Sequence, residues 1–435
     1  MQPTEPFPAQ PEPAIEPSVE PSVEPSPEPV AEPSAEPARP TSRPNRALDA
    51  TIALALFAAT FAVYFVSMRL EGPTPYNFHV LLANAIVNGQ VNLPQLSWLE
   101  LAEWQGKFYT VFPPGPALLL TPIAYFWGPG IDQQFFSVAI GALNVLLCYA
   151  TLRTLFQSRA VAVWVAILHA FGTIAWYHAE VGSGWYCGHT VAIAFLWLSL
   201  LAALRGKHFF WTGLFLSVAF LSRLTTMVGG IFFPIYFFGD FVTLAGRHSR
   251  IHWRNVLALA AGVAPGVLGY YLYNYLRFGT IEDLGYTLVL HPRDPSYVHG
   301  LFSVKYVWIH LNEMFTMMPR VLPQWPYLAP SVFAMAIWIA TPALILMLRA
   351  PLTRLTFASA IAALFIAAPN LMHGGNGFTQ FGYRHTLDFL PFLLILIASG
   401  MREHVGGIAA ALILASIVVN AWGVVTLSVL KIQGF

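Results

Sequence analysis

Charge is what this chain of 435 residues most lacks: 10% of it is Asp, Glu, Lys or Arg, against 56% hydrophobic residues and a mean hydropathy of +0.59. Soluble domains carry about 25% charged residues, so a water-soluble globular enzyme is excluded. Cysteine is nearly absent as well. Cys148 and Cys187 lie in or beside apolar stretches, which rules out a disulfide framework and makes both packing residues. A Gly-rich phosphate loop, a metalloprotease motif and a dinucleotide fingerprint are also missing. Neither a cofactor nor a nucleic-acid partner is therefore expected.

What the chain has is apolar length. Residues 47–68, 135–155 and 406–430 are almost free of charge, and each holds roughly 20 apolar residues, enough to cross a hydrocarbon core. Counting all such segments predicts an all-α polytopic membrane protein with about 11 to 12 transmembrane helices. Before them, residues 12–37 repeat Glu-Pro every four residues, a pattern with no apolar face and few backbone donors. Residues 1–46 are expected to form a disordered tail and 47–435 the membrane domain. Eight Glu and three Arg belong to the first 47 residues, which leaves 19 basic and 13 acidic residues in the remainder.

Arg39, Arg43 and Arg46 precede the first apolar run, so the positive-inside rule places the tail in the cytoplasm of a cell whose inner membrane holds the chain. Basic pairs at Arg153/Arg159, Arg205/Lys207 and Arg349/Arg354, the Arg247 to Arg254 cluster and Arg402 then recur at every second connection. The alternation holds throughout if residues 114–127 enter the bilayer without crossing it. Four connections rich in polar and aromatic residues, 71–113, 178–189, 277–327 and 373–384, fall on the extracytoplasmic side, and function is expected there.

In the first of these, Val80, Ala83, Ile86 and Val87 recur at helical spacing before Gly89, predicting an interfacial helix with a glycine cap. In the third, Val304, Val307, Trp308, Leu311 and Phe315 predict a second one, with Glu282, Asp283, Asp294 and Glu313 as solvated or capping groups, as Glu100 and Glu103 are in the first loop. Arg223 interrupts an apolar run beside Thr225 and Thr226, and an ionisable residue so placed is a functional candidate whose planar fork suits a phosphate. Arg384 precedes Asp388 by four residues, a spacing that also fits a structural salt bridge. His178, Glu180, Cys187 and His189 are all metal-capable, but sequence gives no convergent geometry. Glu180, Trp185, Tyr186 and His189 fit better as the lining of a polar cavity.

Several short motifs then occur in one order. An interfacial helix follows the first span; Gly106-Lys107-Phe108-Tyr109 and Phe112-Pro-Pro-Gly-Pro116 come next, then Arg277-Phe-Gly-Thr, then Gln380-Phe-Gly-Tyr383-Arg384 ahead of Leu387-Asp388-Phe-Leu-Pro391. The set resembles bacterial members of the GT-C glycosyltransferase superfamily, polytopic enzymes related to protein mannosyltransferases and lipid A aminoarabinose transferases. The resemblance spans most of residues 48–400. It implies a GT-C-like helix bundle and transfer of a sugar from a polyprenyl-phosphate-linked donor to a lipid, glycan or protein acceptor on the extracytoplasmic face. Such enzymes carry a first-loop carboxylate as general base. Here Pro75 and Tyr76 stand where relatives often have an acidic pair, so Glu71 is the nearest replacement and Glu180 the second candidate. Donor phosphate is assigned to Arg223, Arg384 and Lys107, with Arg277 weaker. Asn77, His79, Tyr109, Trp185, Tyr186, His189, Tyr383 and Asp388 are assigned to the substrate cavity. A transporter or flippase of a lipid-linked or small polar substrate, and a noncatalytic relative, are the alternative readings.

Overall fold

The computed structural model describes residues 46–97, 100–245, 248–289, 297–377 and 380–432. The Glu-Pro tail and Asp294 lie outside the described residues. Among the described residues, six helices are long and apolar enough to cross a membrane: Arg46–Glu71, Gln133–Leu155, Gly184–Gly206, Trp253–Phe278, Arg354–Met372 and Gly407–Val429. A 26-residue helix such as the first is about 39 Å long at 1.5 Å per residue. Arg159–Phe171 and Ala175–Val181 form a further pair bent by 49°.

The remaining apolar runs make shorter or broken helical pieces, each for a local reason. Gly115–Trp127 has Pro116 in its first turn and Pro122 inside; its 13 residues reach about 20 Å, in keeping with an element that enters the bilayer without crossing it. Phe209–Ser222 stops where Arg223 takes an extended conformation, and helical turns resume at Leu224–Ile231. Leu390–Gly400 starts with Pro391 in its first turn, where a missing N–H costs nothing. Three two-stranded antiparallel hairpins complete the described chain.

The polar connections gather at one end of this bundle. Phe78–Val87 packs beside the start of the Gly184–Gly206 helix, its His79 Nε2–H donating to the Gly184 carbonyl at 2.9 Å. A hairpin of Leu101–Trp104 and Lys107–Thr110 follows, held to the Trp253–Phe278 helix by Arg277, which donates to the Thr110 carbonyl at 2.9 Å and pairs with Asp283 at 3.1 Å. At the other end, Asp49 binds both Arg153 and Arg159, and Glu403 accepts from the Gln157 and Ser158 backbones.

The helix Val307–Phe315 corrects one expectation. It turns His310, Glu313 and Met314 inward and leaves Trp308 78% exposed, together with Ile309 and Phe315. The apolar side faces outward and the polar side is packed inward, so Glu313 is buried and is not a solvated charge.

Phe209–Ser222 and Trp253–Phe278 cross at contact distance through small residues. A Cβ on Gly262 would stand 2.0 Å from the Phe210 carbonyl oxygen, and one on Gly213 2.2 Å from that of Leu259. Close backbone approach of this kind is how helices associate in a bilayer, where apolar burial between them gains nothing over lipid. Gly262→Val is expected to push the helices apart and lower the thermal transition of the purified protein by several degrees, while Gly269→Ala, with open space around it, leaves it unchanged. Equal transitions for the two variants would contradict this packing.

Candidate functional site

Asp388 sits in the helical turns Arg384–Phe389, immediately before Leu390–Gly400, and is fully buried. Its carboxylate accepts from four residues on three other segments. His189 Nδ1, in the second turn of Gly184–Gly206, lies 2.7 Å from Oδ1. Arg223 reaches both oxygens, with Nε 3.2 Å from Oδ1 and Nη2 3.1 Å from Oδ2. Thr225 Oγ1 donates to Oδ2 at 3.1 Å, and Asn370 Nδ2 donates to it at 3.0 Å. Thus Asp388 pairs with Arg223 and His189, not with Arg384 four residues before it. The Arg384–Phe389 turns are 3-10 rather than α-helical, so the i,i+4 alignment the spacing suggested does not arise.

The break at Arg223 makes this possible. Extended backbone there, at φ −147° and ψ 107°, lets the side chain leave the helix axis and turn to Asp388. Gly115, in the Pro-rich turn, lets a second element close on the same place, since a Cβ would lie 2.7 Å from the Leu221 carbonyl carbon.

Arg223 spends Nε and Nη2 on Asp388, and Nη2 also donates to His385 Nδ1 at 3.3 Å. Its Nη1 has no hydrogen-bond partner among the described residues. Neither does any nitrogen of Arg384, which is half-buried. Around Arg384 stand groups that feel its charge: Glu100, Tyr286, His310, Glu313, His373 and Tyr383. Tyr383 Oη donates to His310 Nδ1 at 2.7 Å, and His310 Nε2–H donates to the His373 carbonyl at 2.7 Å. Asn376 donates to Glu313 Oε1. Burial pushes the Glu313 carboxyl up to about 8, opposed by the Asn376 hydrogen bond and the Arg384 charge; at neutral pH it is mainly protonated. Burial likewise raises the Glu100 carboxyl, which the Glu100 backbone and Arg384 pull back down. Glu100 is thus a partly buried neighbour of Arg384 and not the solvated loop charge the sequence suggested.

The two carboxylates singled out from sequence as bases form a different cluster. Glu71, at the end of the first helix, pairs through Oε2 with Lys431 Nζ at 2.8 Å. Glu180 is fully buried, and its Oε1 accepts from Ser428 at 2.6 Å. Both clasp the first helix and the bent pair to the C-terminal helix.

The other expected residues divide in the same way. His189, Tyr383 and Asp388 belong to the Arg223 cluster. Tyr186 is buried against His178, with ring centroids 4.3 Å apart, and His178 neighbours His189 at 6.4 Å. Trp185 stacks at a tilt on Tyr76, 4.7 Å away. His79 is buried and tied to Gly184 and Gln133; burial pulls its imidazole down to about 4, against the Gly184 hydrogen bond. Asn77 stands at the N-terminus of the same helix. Tyr109 packs on Phe278, Lys107 stands exposed at the hairpin turn, and Arg277 is locked into its hairpin contacts. His178, Glu180, Cys187 and His189 do not converge on one point. Sequence reasoning passed over Asn370, His385, His310 and Asn376. The signal for Asn370 was a lone amide after Pro369 in an apolar run, and for His310 and Glu313 an i,i+3 polar pair in an otherwise apolar stretch.

Removing one partner of a buried ion pair strands the other. Asp388→Ala is expected to cost about 3–5 kcal/mol in chemical unfolding of the purified protein, because Arg223 and His189 lose their shared acceptor. Arg384→Ala, which breaks no internal bond, is expected to leave stability within about 0.5 kcal/mol. A reversed order of the two variants would contradict the assignment of Asp388 as the buried counter-ion.

No protein-family model matches the chain, and no curated protein matches its sequence. Among solved structures it is similar to ArnT from Cupriavidus metallidurans bound to undecaprenyl phosphate, with a TM-score of 0.52 and 16% identity over 87% of this chain. The chain spans 65% of that protein's length. A likeness at this identity speaks for architecture alone: the chain shares the polytopic helical fold of that protein.

Proposed function

We propose that this protein is a GT-C-type membrane glycosyltransferase that takes a sugar from a polyprenyl-phosphate-linked donor and passes it to a lipid, glycan or protein acceptor at the extracytoplasmic face of the membrane. The observation that carries the proposal is the Arg384 guanidinium. It sits half-buried at the polar end of the bundle without an internal partner among the described residues, and both it and Arg223, whose Nη1 is also free of one, act on His385 and His189. Holding a bare cation partly out of water is costly unless an anion completes it. A guanidinium fork without an internal partner suits the oxygens of a phosphate. The fold neighbour was solved with undecaprenyl phosphate bound, which supports a polyprenyl-phosphate chemistry for the same architecture.

The residues divide the work by charge. Asp388 neutralises half of the Arg223 fork and fixes its direction; Arg384 keeps its full charge for the ligand. The acceptor oxygen forms a bond to the anomeric carbon as the bond from that carbon to the phosphate oxygen breaks. The electron pair leaves on the polyprenyl phosphate, which the guanidinium groups stabilise, and the acceptor proton passes to a base. Direct displacement inverts the anomeric centre. Glu71 and Glu180, held in their own cluster with Lys431 and Ser428, serve the packing of the first and last helices in this reading.

The test is undecaprenyl phosphate binding to the purified protein in lipid nanodiscs. Losing one charge-assisted hydrogen bond at about 1.5–3 kcal/mol predicts that Arg384→Ala weakens binding by roughly 10- to 100-fold. Lys107→Ala is expected to bind as the wild type does. Undiminished binding by Arg384→Ala would remove the basis for the phosphate site.

A further inference from the structure

We infer that His189 and His385 form the subsite for the acceptor hydroxyl and that His189, oriented by Asp388, is the general base that takes its proton. The inference rests on the transferase reading above and names the group that reading leaves open.

The argument begins with which ring nitrogen holds a hydrogen. A carboxylate only accepts, so His189 Nδ1, 2.7 Å from Asp388 Oδ1, is the N–H and its Nε2 carries the lone pair. A guanidinium only donates, so His385 Nδ1, 3.3 Å from Arg223 Nη2, is the acceptor and its Nε2 carries the hydrogen. Asp388 and Arg223 thus force opposite tautomers on two adjacent rings. Their centroids are 6.2 Å apart, and both Nε2 atoms are buried without a hydrogen-bond partner. A buried polar atom left unpaired is costly. Here one acceptor and one donor are left unpaired on neighbouring rings.

A hydroxyl group satisfies both at once: its O–H donates to His189 Nε2 while a lone pair accepts from His385 Nε2–H. Hydrogen bonds of about 2.8 Å each can meet at one oxygen, and the centroid separation of 6.2 Å is within the reach of such a bridge. That geometry is also productive. The proton moves from the acceptor oxygen to His189 Nε2 as the oxygen bonds to the anomeric carbon, and the imidazolium formed is paired with Asp388 through Nδ1–H, the arrangement that lets a carboxylate support a histidine base without itself taking the proton. Arg223 is bonded to both Asp388 and His385, so the phosphate ligand and the hydroxyl subsite share one rigid frame. Glu313 is less suited to the role, because its carboxyl is mainly protonated at neutral pH.

The experiment measures sugar transfer and undecaprenyl phosphate binding together for wild type, His189→Gln, His385→Phe, Glu100→Gln and Glu313→Gln in nanodiscs, with the side-chain nitrogens of the histidines observed by ¹⁵N NMR. General-base loss predicts a fall in kcat of about 100- to 10,000-fold for His189→Gln with donor binding unchanged. His385→Phe is expected to raise the acceptor KM more than it lowers kcat, and the two Gln variants to transfer sugar within about tenfold of wild type. The NMR spectrum of wild type should show His189 as the Nδ1–H tautomer and His385 as the Nε2–H tautomer. Wild-type kcat in His189→Gln, with transfer lost in Glu100→Gln or Glu313→Gln, overturns the inference and leaves the transferase reading standing; so does a His189 Nε2–H tautomer. A water filling the gap without catalytic role is exposed by the same kcat result. A wild-type protein that binds undecaprenyl phosphate yet transfers no sugar overturns both.

Discussion

One carboxylate organises the polar end of this protein. Asp388 is buried in a chain with few charges to spare, and it is held there by donors from His189, Arg223, Thr225 and Asn370. A lone carboxylate removed from water would be neutralised or would unfold its surroundings. Four donors from three other segments make it a junction instead. Through it the Gly184–Gly206 helix, the break after Phe209–Ser222, the end of Arg354–Met372 and the start of Leu390–Gly400 are brought to one point, so chemistry and architecture depend on the same bonds.

The contrast between the two arginines follows from this junction. Arg223 is partly spent as the counter-ion of Asp388, whereas Arg384 has no internal partner among the described residues. A protein that needed both charges for packing would have supplied a second buried acid. This one surrounds Arg384 with a histidine, tyrosines and two carboxyls that burial drives toward their neutral forms, so the cation keeps its field. That is the electrostatic arrangement the proposed phosphate site requires.

How much of this was legible in the sequence depended on whether the signal was local. The membrane class could be read from the apolar runs, and Arg223, His189 and Asp388 could be singled out because a polar residue inside or beside such a run stands out. Their pairing could not: Arg223 and Asp388 are 165 positions apart, and His189 and Asp388 199. The nearer Arg384 offered a plausible partner that the 3-10 backbone did not deliver. Glu71 and Glu180 drew attention as acids near the outer loops, but which acid meets Lys431 and Ser428 is decided by the return of the C-terminal helix to the first. His310 went unweighed and Glu313 reads from the sequence as a solvated or capping group, because the stripe of Val304, Trp308 and Phe315 does not itself say which way it faces. In the folded chain the apolar side points out and the polar side is buried.

The most direct test of the account is a transfer assay with purified wild-type protein in nanodiscs, a panel of radiolabelled sugars linked to polyprenyl phosphate, and membrane lipid, glycan and peptide acceptors. The account predicts that label leaves at least one donor and appears on an acceptor with inverted anomeric configuration. Label that crosses the bilayer still attached to its carrier, or never leaves it with any donor, would contradict a transferase and show that this fold is used here for movement or assembly.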